Sequence, residues 1–459
     1  MKAKDFFKHK VFKLTPVKTI VLGFMAIILI GAFLLCLPIA HQSRQWSNFV
    51  DALFTSTSAV CVTGLAVFDV AKTLTLFGQI IVLFLIQIGG LGFVSLTCLM
   101  FMLLGKKINY STRMTLQESL NKDTTQGVVK MVKKIIITIF AVELAGFVCL
   151  APSMIMFTGN FFSGCFKALF LSVSAFCNAG FDPLGSATPE LSNLMYFNNN
   201  AFVLIPVMLL IVTGGFGFVA LFDLFNFKRN GQKLAFHTKI VLIFTNILIF
   251  GGALLYGVFE WNNPETIGNM PWFYKILNCF FQSITTRTAG FSTINLAGLS
   301  STSVALTNVL MLIGGSPMSI AGGIKTTTLF VLIIMLFKSA QPDGSINYKN
   351  RNISSKTINK AIKLLLSATA LIATGSMLIV LFETGTFTFE QVFFETVSAI
   401  STSGLSLGIT TLLSTASKLV LITLMFIGRV GMLTVPLLFK QNQTVGNEIE
   451  YPDSKIVVG

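Results

Sequence analysis

Four short stretches, each built around a glycine, recur along the chain at nearly equal intervals. They are Val62-Thr63-Gly64-Leu65, Asn178-Ala179-Gly180-Phe181, Thr288-Ala289-Gly290-Phe291 and Thr402-Ser403-Gly404-Leu405, and their glycines lie 116, 110 and 114 residues apart. Alkali cations bind where oxygens replace their hydration shell, and a ring of backbone carbonyls supplies oxygens without a fixed charge. Glycine permits the left-handed backbone that such a ring needs. The four stretches therefore predict four corners of one cation pathway.

The candidate ion ligands are the glycine of each stretch and the two residues before it. This set comprises Val62, Thr63, Gly64, Asn178, Ala179, Gly180, Thr288, Ala289, Gly290, Thr402, Ser403 and Gly404. Hydroxyls in the set add oxygen ligands, and helices ending at these turns would direct partially negative ends at a cation. The second stretch departs most from the others, because it begins with Asn and precedes a longer loop, so strict four-fold symmetry is not expected.

Three charged residues lie near these stretches. Asp182 and Glu395 either concentrate cations or are solvated surface charges. Arg287 is expected to brace the third stretch from behind, because a residue lining a cation path would not carry a positive charge. No metal or nucleophilic constellation occurs in the sequence, which argues against an enzyme.

The composition is that of a membrane protein. Of 459 residues, 53% are hydrophobic and 11% charged, whereas roughly a quarter are charged in soluble proteins. Thr73–Gly105 and Thr19–Ala40 carry no charge over 33 and 22 residues, and about 20 apolar residues span a bilayer. A polytopic α-helical membrane protein is predicted, because the alternating strands of a barrel are absent.

The net charge of +15 is distributed as membrane topology requires. Basic residues cluster at the N-terminus and in every second loop between hydrophobic segments, in Lys2–Lys13, Lys106–Lys134, Lys228–Lys239 and Lys338–Lys363. This positive-inside pattern predicts eight crossings with both termini in the cytoplasm. Because it explains the positive charge, we do not expect nucleic-acid binding. The first hydrophobic segment is too long for a signal peptide. The seven cysteines form no CxxC pair, so no disulfide framework or zinc site is indicated.

The hydrophobic pattern of each quarter of the chain predicts a long helix, a short helix, the glycine stretch and a second long helix. The short runs are too short to span a bilayer and are predicted to be re-entrant half-helices, whose ends must line a wet cavity. The predicted long–short–long segments are Thr19–Leu37, Phe49–Cys61 and Leu74–Leu104; Ile135–Phe157, Phe162–Cys177 and Ala201–Phe222; Ile240–Phe259, Trp272–Thr286 and Val304–Phe337; and Leu364–Phe382, Phe389–Ser401 and Leu419–Phe439.

The second long helices share a glycine motif, Ile88-Gly89-Gly90 and its counterparts. Close helix packing explains the first two copies. The third copy extends into a run of small and polar residues that should break the helix. We predict a flexible gate loop over residues 314–328, beneath the four glycine stretches, and the alternative is a kinked helix. The gate residues are Gly314, Gly315, Ser316, Pro317, Gly322, Gly323 and Lys325, together with Arg429 of the fourth copy.

Arg429 stands in the middle of an uncharged run. A lipid-facing Arg at that depth is costly, so it should face the aqueous pathway and bind the gate loop. The alternative is an ion pair between helices that has no transport role.

In these motifs the chain resembles the Trk/Ktr/HKT superfamily of cation transporters, and within it the KtrB-type membrane subunits of bacterial Ktr potassium-uptake systems. The resemblance rests on the four glycine stretches, Ser316–Thr328 and Gly428-Arg429-Val430-Gly431. It implies an all-α protein of four M1–P–M2 repeats around one pseudo-four-fold pore, with filter glycines at Gly64, Gly180, Gly290 and Gly404. An all-glycine set resembles the potassium-selective class.

The resemblance also implies partners and a location. These are a homodimer, a cytosolic KtrA-type RCK ring that binds ATP or ADP, and the inner membrane of a bacterium. Na+ either activates transport or is co-transported. Gly89-Gly90-Leu91-Gly92 lies inside a hydrophobic run and is rejected as a nucleotide site. The four repeats are expected to cover residues 1–108, 109–236, 237–345 and 346–445. Residues 446–459 are expected to form a cytoplasmic tail. The alternative function is a secondary transporter with a midplane site at the broken third-repeat helix, although that class favours inverted repeats.

Overall fold

The computed structural model describes residues 16–92, 95, 114, 117, 126–185, 193–230, 233–339, 341, 343–349 and 351–432. These parts of the chain are mostly α-helical. Their helices are α1 Pro16–Cys36, α2 Phe49–Cys61, α3 Val70–Thr73, α4 Leu76–Leu91, α5 Val128–Thr158, α6 Phe161–Phe176, α7 Ala201–Gly215, α8 Phe218–Asn230, α9 Phe236–Glu260, α10 Trp272–Thr285, α11 Ser301–Leu312, α12 Thr326–Phe337, α13 Ser355–Phe382, α14 Phe389–Ser401 and α15 Thr415–Val430.

Among the described residues, four helices are long and apolar enough to cross a membrane, namely α1, α5, α9 and α13. Their outward faces expose large apolar side chains such as Leu144, Leu254 and Met377, as expected of helices in contact with lipid. Helices α7 and α8 together form a fifth candidate span, bent by 102°. The predicted helices Leu74–Leu104 and Leu419–Phe439 end early, because α4 stops at Leu91 and α15 at Val430. The remainders of both segments lie outside the described residues, so the eight crossings remain a prediction.

The bend between α7 and α8 corrects the expectation of a continuous helix over Ala201–Phe222. The chain turns at Gly217, whose φ is +90°, a conformation that costs glycine little. A Cβ at Gly217 would lie 2.5 Å from the carbonyl oxygen of Pro317. The helix is therefore interrupted where another segment approaches its backbone closely.

A short antiparallel hairpin corrects the all-α expectation in one detail. Strands β1 (Ile346–Tyr348) and β2 (Arg351–Ile353) pair between α12 and α13. Buried Ile346 packs in one cluster with Phe330 of α12 and Ile358 of α13, so the hairpin is held against both helices.

The short helices α2, α6, α10 and α14 lie close to where the sequence predicts them. Polar caps set three of their starts: Asn48 Oδ1 accepts a hydrogen bond from Val50 N at 2.9 Å, Asn160 caps α6 in the same way, and Thr388 begins α14 with a capping box. Such caps satisfy backbone N–H groups that a helix start leaves free. The helices therefore begin at defined residues rather than fraying.

The short helices are held in a closed ring of contacts. Each packs on the long helix before it, as α1 packs on α2 and α9 on α10. Each also packs on a helix from the preceding quarter of the chain: α4 contacts α6, α7 contacts α10, α11 contacts α14, and α15 contacts α2. The last contact closes the ring and includes an ion pair between Lys418 Nζ and Asp51 Oδ1 at 2.8 Å.

Candidate functional site

The C-terminal ends of the four short helices lead into the four glycine-containing turns, residues 62–64, 178–180, 288–290 and 402–404, here called the glycine turns. The first residue of every turn is left-handed, with φ of 57° at Val62, 56° at Asn178, 69° at Thr288 and 51° at Thr402. The glycine of every turn also has positive φ, between 71° and 99°. A left-handed β-branched residue is strained, and such strain concentrates at functional sites.

Hydrogen bonds within the turns distinguish the third from the other three. In the first turn Val62 N donates to Ala59 O at 3.2 Å and Thr63 N to Ser58 O at 2.8 Å, which is the Schellman ending of a helix. The second and fourth turns repeat both bonds. In the third turn Ala289 N donates instead to Thr285 O at 2.9 Å. The expectation that the second turn departs most is therefore wrong for the backbone, because its Asn178 adopts the same conformation as Val62 and Thr402.

The four turns touch one another in cyclic order. A Cβ on Gly64 would lie 2.6 Å from Ala179 O, one on Gly180 would lie 3.1 Å from Ala289 O, and one on Gly290 would lie 2.8 Å from Ser403 O. A Cβ on Gly404 would overlap Thr63 O and so complete the cycle. At each glycine the backbone of the next turn occupies the space that a side chain would need.

This packing brings four carbonyl groups, those of Thr63, Ala179, Ala289 and Ser403, to one centre. All four residues are completely buried, and the partially negative C-terminal ends of the short helices lead into the turns. Backbone dipoles therefore contribute negative potential at the centre. Such an arrangement can replace water around an alkali cation and still release it.

A central cavity of about 150 Å³ lies on one side of the turns and is lined by all four of their glycines. Asp69 and Asp182 also line it. Asp182 accepts a hydrogen bond from Leu184 N at 2.9 Å, and Asp69 Oδ1 accepts from Ala71 N at 2.9 Å. The sequence singled out Asp182 but missed Asp69, which follows its glycine by five residues and has no charged counterpart in the other stretches.

Glu395 lies behind the wall of this cavity and is fully buried. Its carboxylate accepts hydrogen bonds from Ser406 and from Thr410 Oγ1, the latter at 3.1 Å, and both donors line the cavity. A solvated surface position for Glu395 is therefore wrong. The carboxylate orients these two hydroxyls at the cavity wall.

The opposite side of the turns is covered by the α11–α12 loop, residues 313–325. The sequence predicts a loop over residues 314–328, whereas α11 ends at Leu312 and α12 begins at Thr326, so residues 326–328 are helical. The loop is anchored rather than loose: Ser316 N donates to Gly215 O at 3.0 Å and Ile320 N to Gly214 O at 3.2 Å. Gly322 N donates to Thr288 Oγ1 at 3.0 Å, which ties the loop to the third glycine turn.

Two cationic side chains bind neighbouring carbonyls of this loop. Arg429 Nη1 donates to Ile320 O at 2.7 Å, and Lys325 Nζ donates to Ala321 O at 2.5 Å. Arg429 Nη2 also donates to Gly89 O at the end of α4. In the described part of the chain no carboxylate pairs with Arg429, so the alternative of an ion pair between helices is not what the geometry contains.

The remaining predicted gate residues shape the loop. Gly314 and Gly322 approach so closely that a Cβ on Gly314 would lie 2.8 Å from the Gly322 carbonyl carbon, and Gly323 has φ of 66°. Gly315 lies beside Gly215, since a Cβ on Gly315 would lie 2.9 Å from the Gly215 carbonyl oxygen. Ser316 Oγ lies 3.3 Å from Thr326 Oγ1, and Pro317 lies beside Gly217. The structure thus brings all eight predicted gate residues together.

Glycines of the second long helices also pack on the short helices. Cβ atoms at Gly89, Gly214 and Gly428 would overlap the carbonyl oxygens of Val60, Phe176 and Ile400, each four residues before a turn glycine. Gly314 is the equivalent glycine of the third repeat, and it packs against Gly322 of the α11–α12 loop instead of a short helix. Close packing, the explanation preferred for the first two copies, accounts for these contacts.

Glu143 is a buried acid that sequence reasoning missed. It lies in the middle of α5, 4% exposed, where Gln87 Nε2 donates to its carboxylate at 3.3 Å and Cys177 Sγ lies 3.8 Å away. The available signal was that Glu143 is the only acid in this 31-residue helix, because intramembrane acids mark function by default.

Comparison with known proteins places this geometry in a family. Residues 12–447 match the TrkH family model, described as a cation transport protein. The chain is 37% identical over 451 residues to the potassium/sodium uptake protein NtpJ of Enterococcus hirae, covering 97% of this chain and 98% of that one. It is 37% identical over 455 residues to the Ktr system potassium uptake protein B of Bacillus subtilis, covering 98% and 99%.

A solved structure agrees in fold. The crystal structure of the potassium transporter TrkH from Vibrio parahaemolyticus superposes with a TM-score of 0.72 at 16% identity, covering 94% of this chain and 86% of that one. The family is one of transporters and not of enzymes. The chain belongs to the TrkH family of cation transport proteins.

Proposed function

We propose that this protein is the ion-translocating subunit of a bacterial potassium-uptake system, with the four glycine turns as its selectivity filter. The observation that carries the proposal is the cyclic contact of the turns, in which each glycine meets the carbonyl that precedes the next glycine. K+ is the proposed ion because the relatives are named for potassium or potassium/sodium uptake. Na+ is proposed as an activator rather than the main cargo.

The proposed architecture is four M1–P–M2 repeats around one pseudo-four-fold pore, with boundaries near residues 108, 236 and 345. It is supported by the ring in which α2, α6, α10 and α14 each contact a helix of the preceding repeat. The central cavity would be the outer entrance, since basic clusters place the α11–α12 loop towards the cytoplasm.

The proposed gate is the α11–α12 loop. It lies against the inner side of the filter, bonded to Thr288, and carries Arg429 and Lys325 on adjacent carbonyls. Two positive groups beside a cation path oppose entry by direct repulsion. Opening requires the loop to leave these partners.

The proposed assembly is a homodimer in the plasma membrane, with both termini cytoplasmic and a cytosolic RCK ring that binds ATP or ADP. Support comes from the relatives named as parts of a Ktr system. Addition of a KtrA-type subunit and nucleotide to the reconstituted protein should alter flux. An unchanged flux under every nucleotide condition would remove this partner from the proposal.

The filter is tested by Gly290→Ser in liposomes, measured as uptake of 86Rb+ and 22Na+. A side chain at Gly290 would press on Ser403 O at 2.8 Å, so we expect the preference for Rb+ over Na+ to fall about tenfold or more, as expected when a mutation costs more than about 1.4 kcal/mol in one ion's path. Gly385→Ser is the matched control, because Gly385 has a similar φ of 78° and its Cβ would have no neighbour within 4 Å. An unchanged preference in Gly290→Ser would refute the filter assignment.

A further inference from the structure

The first residues of the glycine turns form an inner ring of side chains that differ in their hydrogen bonding. The ring consists of Val62, Asn178, Thr288 and Thr402, and each is at most 2% exposed. Thr288 Oγ1 accepts a hydrogen bond from Gly322 N. Asn178 Oδ1 and Nδ2 and Thr402 Oγ1 have no hydrogen-bond partner among the described residues.

Unpartnered polar groups at this depth require an explanation, because a buried polar group without a hydrogen-bond partner destabilises the fold. The hydroxyls of Thr288 and Thr402 both lie at Gly322. The Asn178 amide lies beside Gly214 and Gly215, the two residues whose carbonyls bind the same loop. Neutral hydroxyl and amide oxygens are suitable ligands for K+, Na+ or Rb+. A cation that has passed the carbonyls would satisfy them.

Gly322 of the α11–α12 loop occupies the same place. A Cβ on Gly322 would overlap Thr402 Oγ1 and Ser401 O, so the loop reaches the ring only because this residue lacks a side chain. Its N–H group directs the positive end of a peptide dipole at Thr288 Oγ1. Arg429 and Lys325 hold the two preceding carbonyls of the loop, at Ile320 and Ala321. A bound cation and the docked loop therefore exclude each other.

We propose that Asn178, Thr288 and Thr402 form an inner alkali-cation site for which the Gly322 N–H group competes, so that an ion arriving at the ring displaces the loop. The inference rests on the proposed filter and gate and adds the link between them. Because linkage is reciprocal, a cation that binds only the ring with the loop released must favour release. Thr288 is the shared residue, since its hydroxyl serves both the ion and the closed loop.

The test is hydrogen–deuterium exchange of residues 313–325 in the full-length protein reconstituted in lipid nanodiscs, in K+ and in N-methyl-D-glucamine at equal ionic strength. In wild type, K+ should raise exchange of the Gly322 segment roughly 2- to 12-fold, the range for loss of one net hydrogen bond. Thr288→Val should raise exchange to that level without K+ and abolish the response. Val suits this position because Val62 adopts a φ of 57° in the equivalent place.

Two control variants make the result specific. Thr288→Ser keeps the hydroxyl and should behave as wild type. Thr293→Val removes a buried hydroxyl that has no hydrogen-bond partner in the described structure and should also behave as wild type. Exchange that K+ does not raise in wild type, or a Thr288→Val protein that still responds, overturns the inference.

Ion-flux measurements distinguish a failure of the inner-site inference from a failure of the proposed function. Wild-type liposomes that take up 86Rb+ selectively while K+ leaves loop exchange unchanged would keep the filter and refute only the inner site. Wild-type liposomes without selective uptake would refute the filter and the inner site together.

Discussion

Three of the left-handed residues that begin the glycine turns are β-branched, a residue type for which this conformation is strained. Val62, Thr288 and Thr402 have positive φ, which costs about 1–3 kcal/mol at each residue. The Schellman bonds of the first and fourth turns and the packing of neighbouring turns offset that cost. The same conformation turns the carbonyls of the following residues towards the centre, so the strain and the carbonyl ring have one geometric cause.

Arg429 is the residue on which the docked loop depends most directly. Its guanidinium joins Ile320 O of the loop to Gly89 O of α4, and a charged hydrogen bond contributes about 1.5–3 kcal/mol. We expect Arg429→Ala to raise 86Rb+ leak from liposomes about tenfold or more without changing Rb+ over Na+ preference. Arg429→Lys should restore only part of the closure, because a point charge cannot reach both carbonyls with planar geometry.

Lys418→Ala is the control for Arg429→Ala. Lys418 lies on the same helix and is also cationic, but it pairs with Asp51 at the ring closure rather than with the loop. Its removal should leave the leak at the wild-type level. Equal leaks in wild type and Arg429→Ala would show that Arg429 does not hold the gate.

At the scale of elements, two interrupted helices meet at one place. The break between α7 and α8 exposes the carbonyls of Gly214 and Gly215, and the break between α11 and α12 supplies the N–H groups of Ile320 and Ser316 that bind them. Phe218 N returns a bond to Met318 O at 3.1 Å. Each break leaves backbone N–H and C=O groups without helical partners. The free groups of one break form hydrogen bonds with the free groups of the other.

Deletion of Gly315–Ile320 should therefore open the pathway without altering the filter. The loop loses its bonds to α7 and its Arg429 acceptor, whereas the turns remain fixed by α2, α6, α10 and α14. We expect 86Rb+ flux to rise at least tenfold, as for loss of the Arg429 contact, with Rb+ over Na+ preference retained. Flux at the wild-type level in a protein that elutes as a single folded species would contradict a gating role for the loop.

At the scale of the molecule, the ring closes where the last described helix meets the first short one. Lys418 Nζ lies 2.8 Å from Asp51 Oδ1, with side chains 14% and 28% exposed. Partly exposed pairs contribute about 0.2–1 kcal/mol, so packing of α15 on α2 supplies most of the closure.

A double-mutant cycle measures this pair. We expect Asp51→Asn to lower the free energy of unfolding in detergent by no more than about 1 kcal/mol. The reversed pair, Asp51→Lys with Lys418→Asp, should recover part of the loss, since the attraction survives exchange of signs. Additive effects in the cycle would mean that the ion pair makes no contribution to closure.

The amino-acid sequence by itself determined the local features of this protein. The spacing of the glycines, the bounds of α2 and α14, an interruption within Val304–Phe337 and the unusual position of Arg429 could all be recognised without coordinates. Each depends on local physics: apolar length, the cost of Gly and Pro in a helix, and the cost of a buried charge. Asp69 and Glu143 were missed because a single acid carries no pattern.

Only the tertiary structure decided how the parts meet. It placed Gly64 against Ala179 O, Gly322 against Thr288, and Arg429 against Gly89, and it bent the chain at Gly217 to receive Pro317. Each of these contacts has a backbone carbonyl or N–H group as at least one partner. Nearly every residue carries both groups, so they leave no trace in residue type. The sequence by itself predicts four corners and a broken helix, whereas packing determines which carbonyl each glycine and each cation meets.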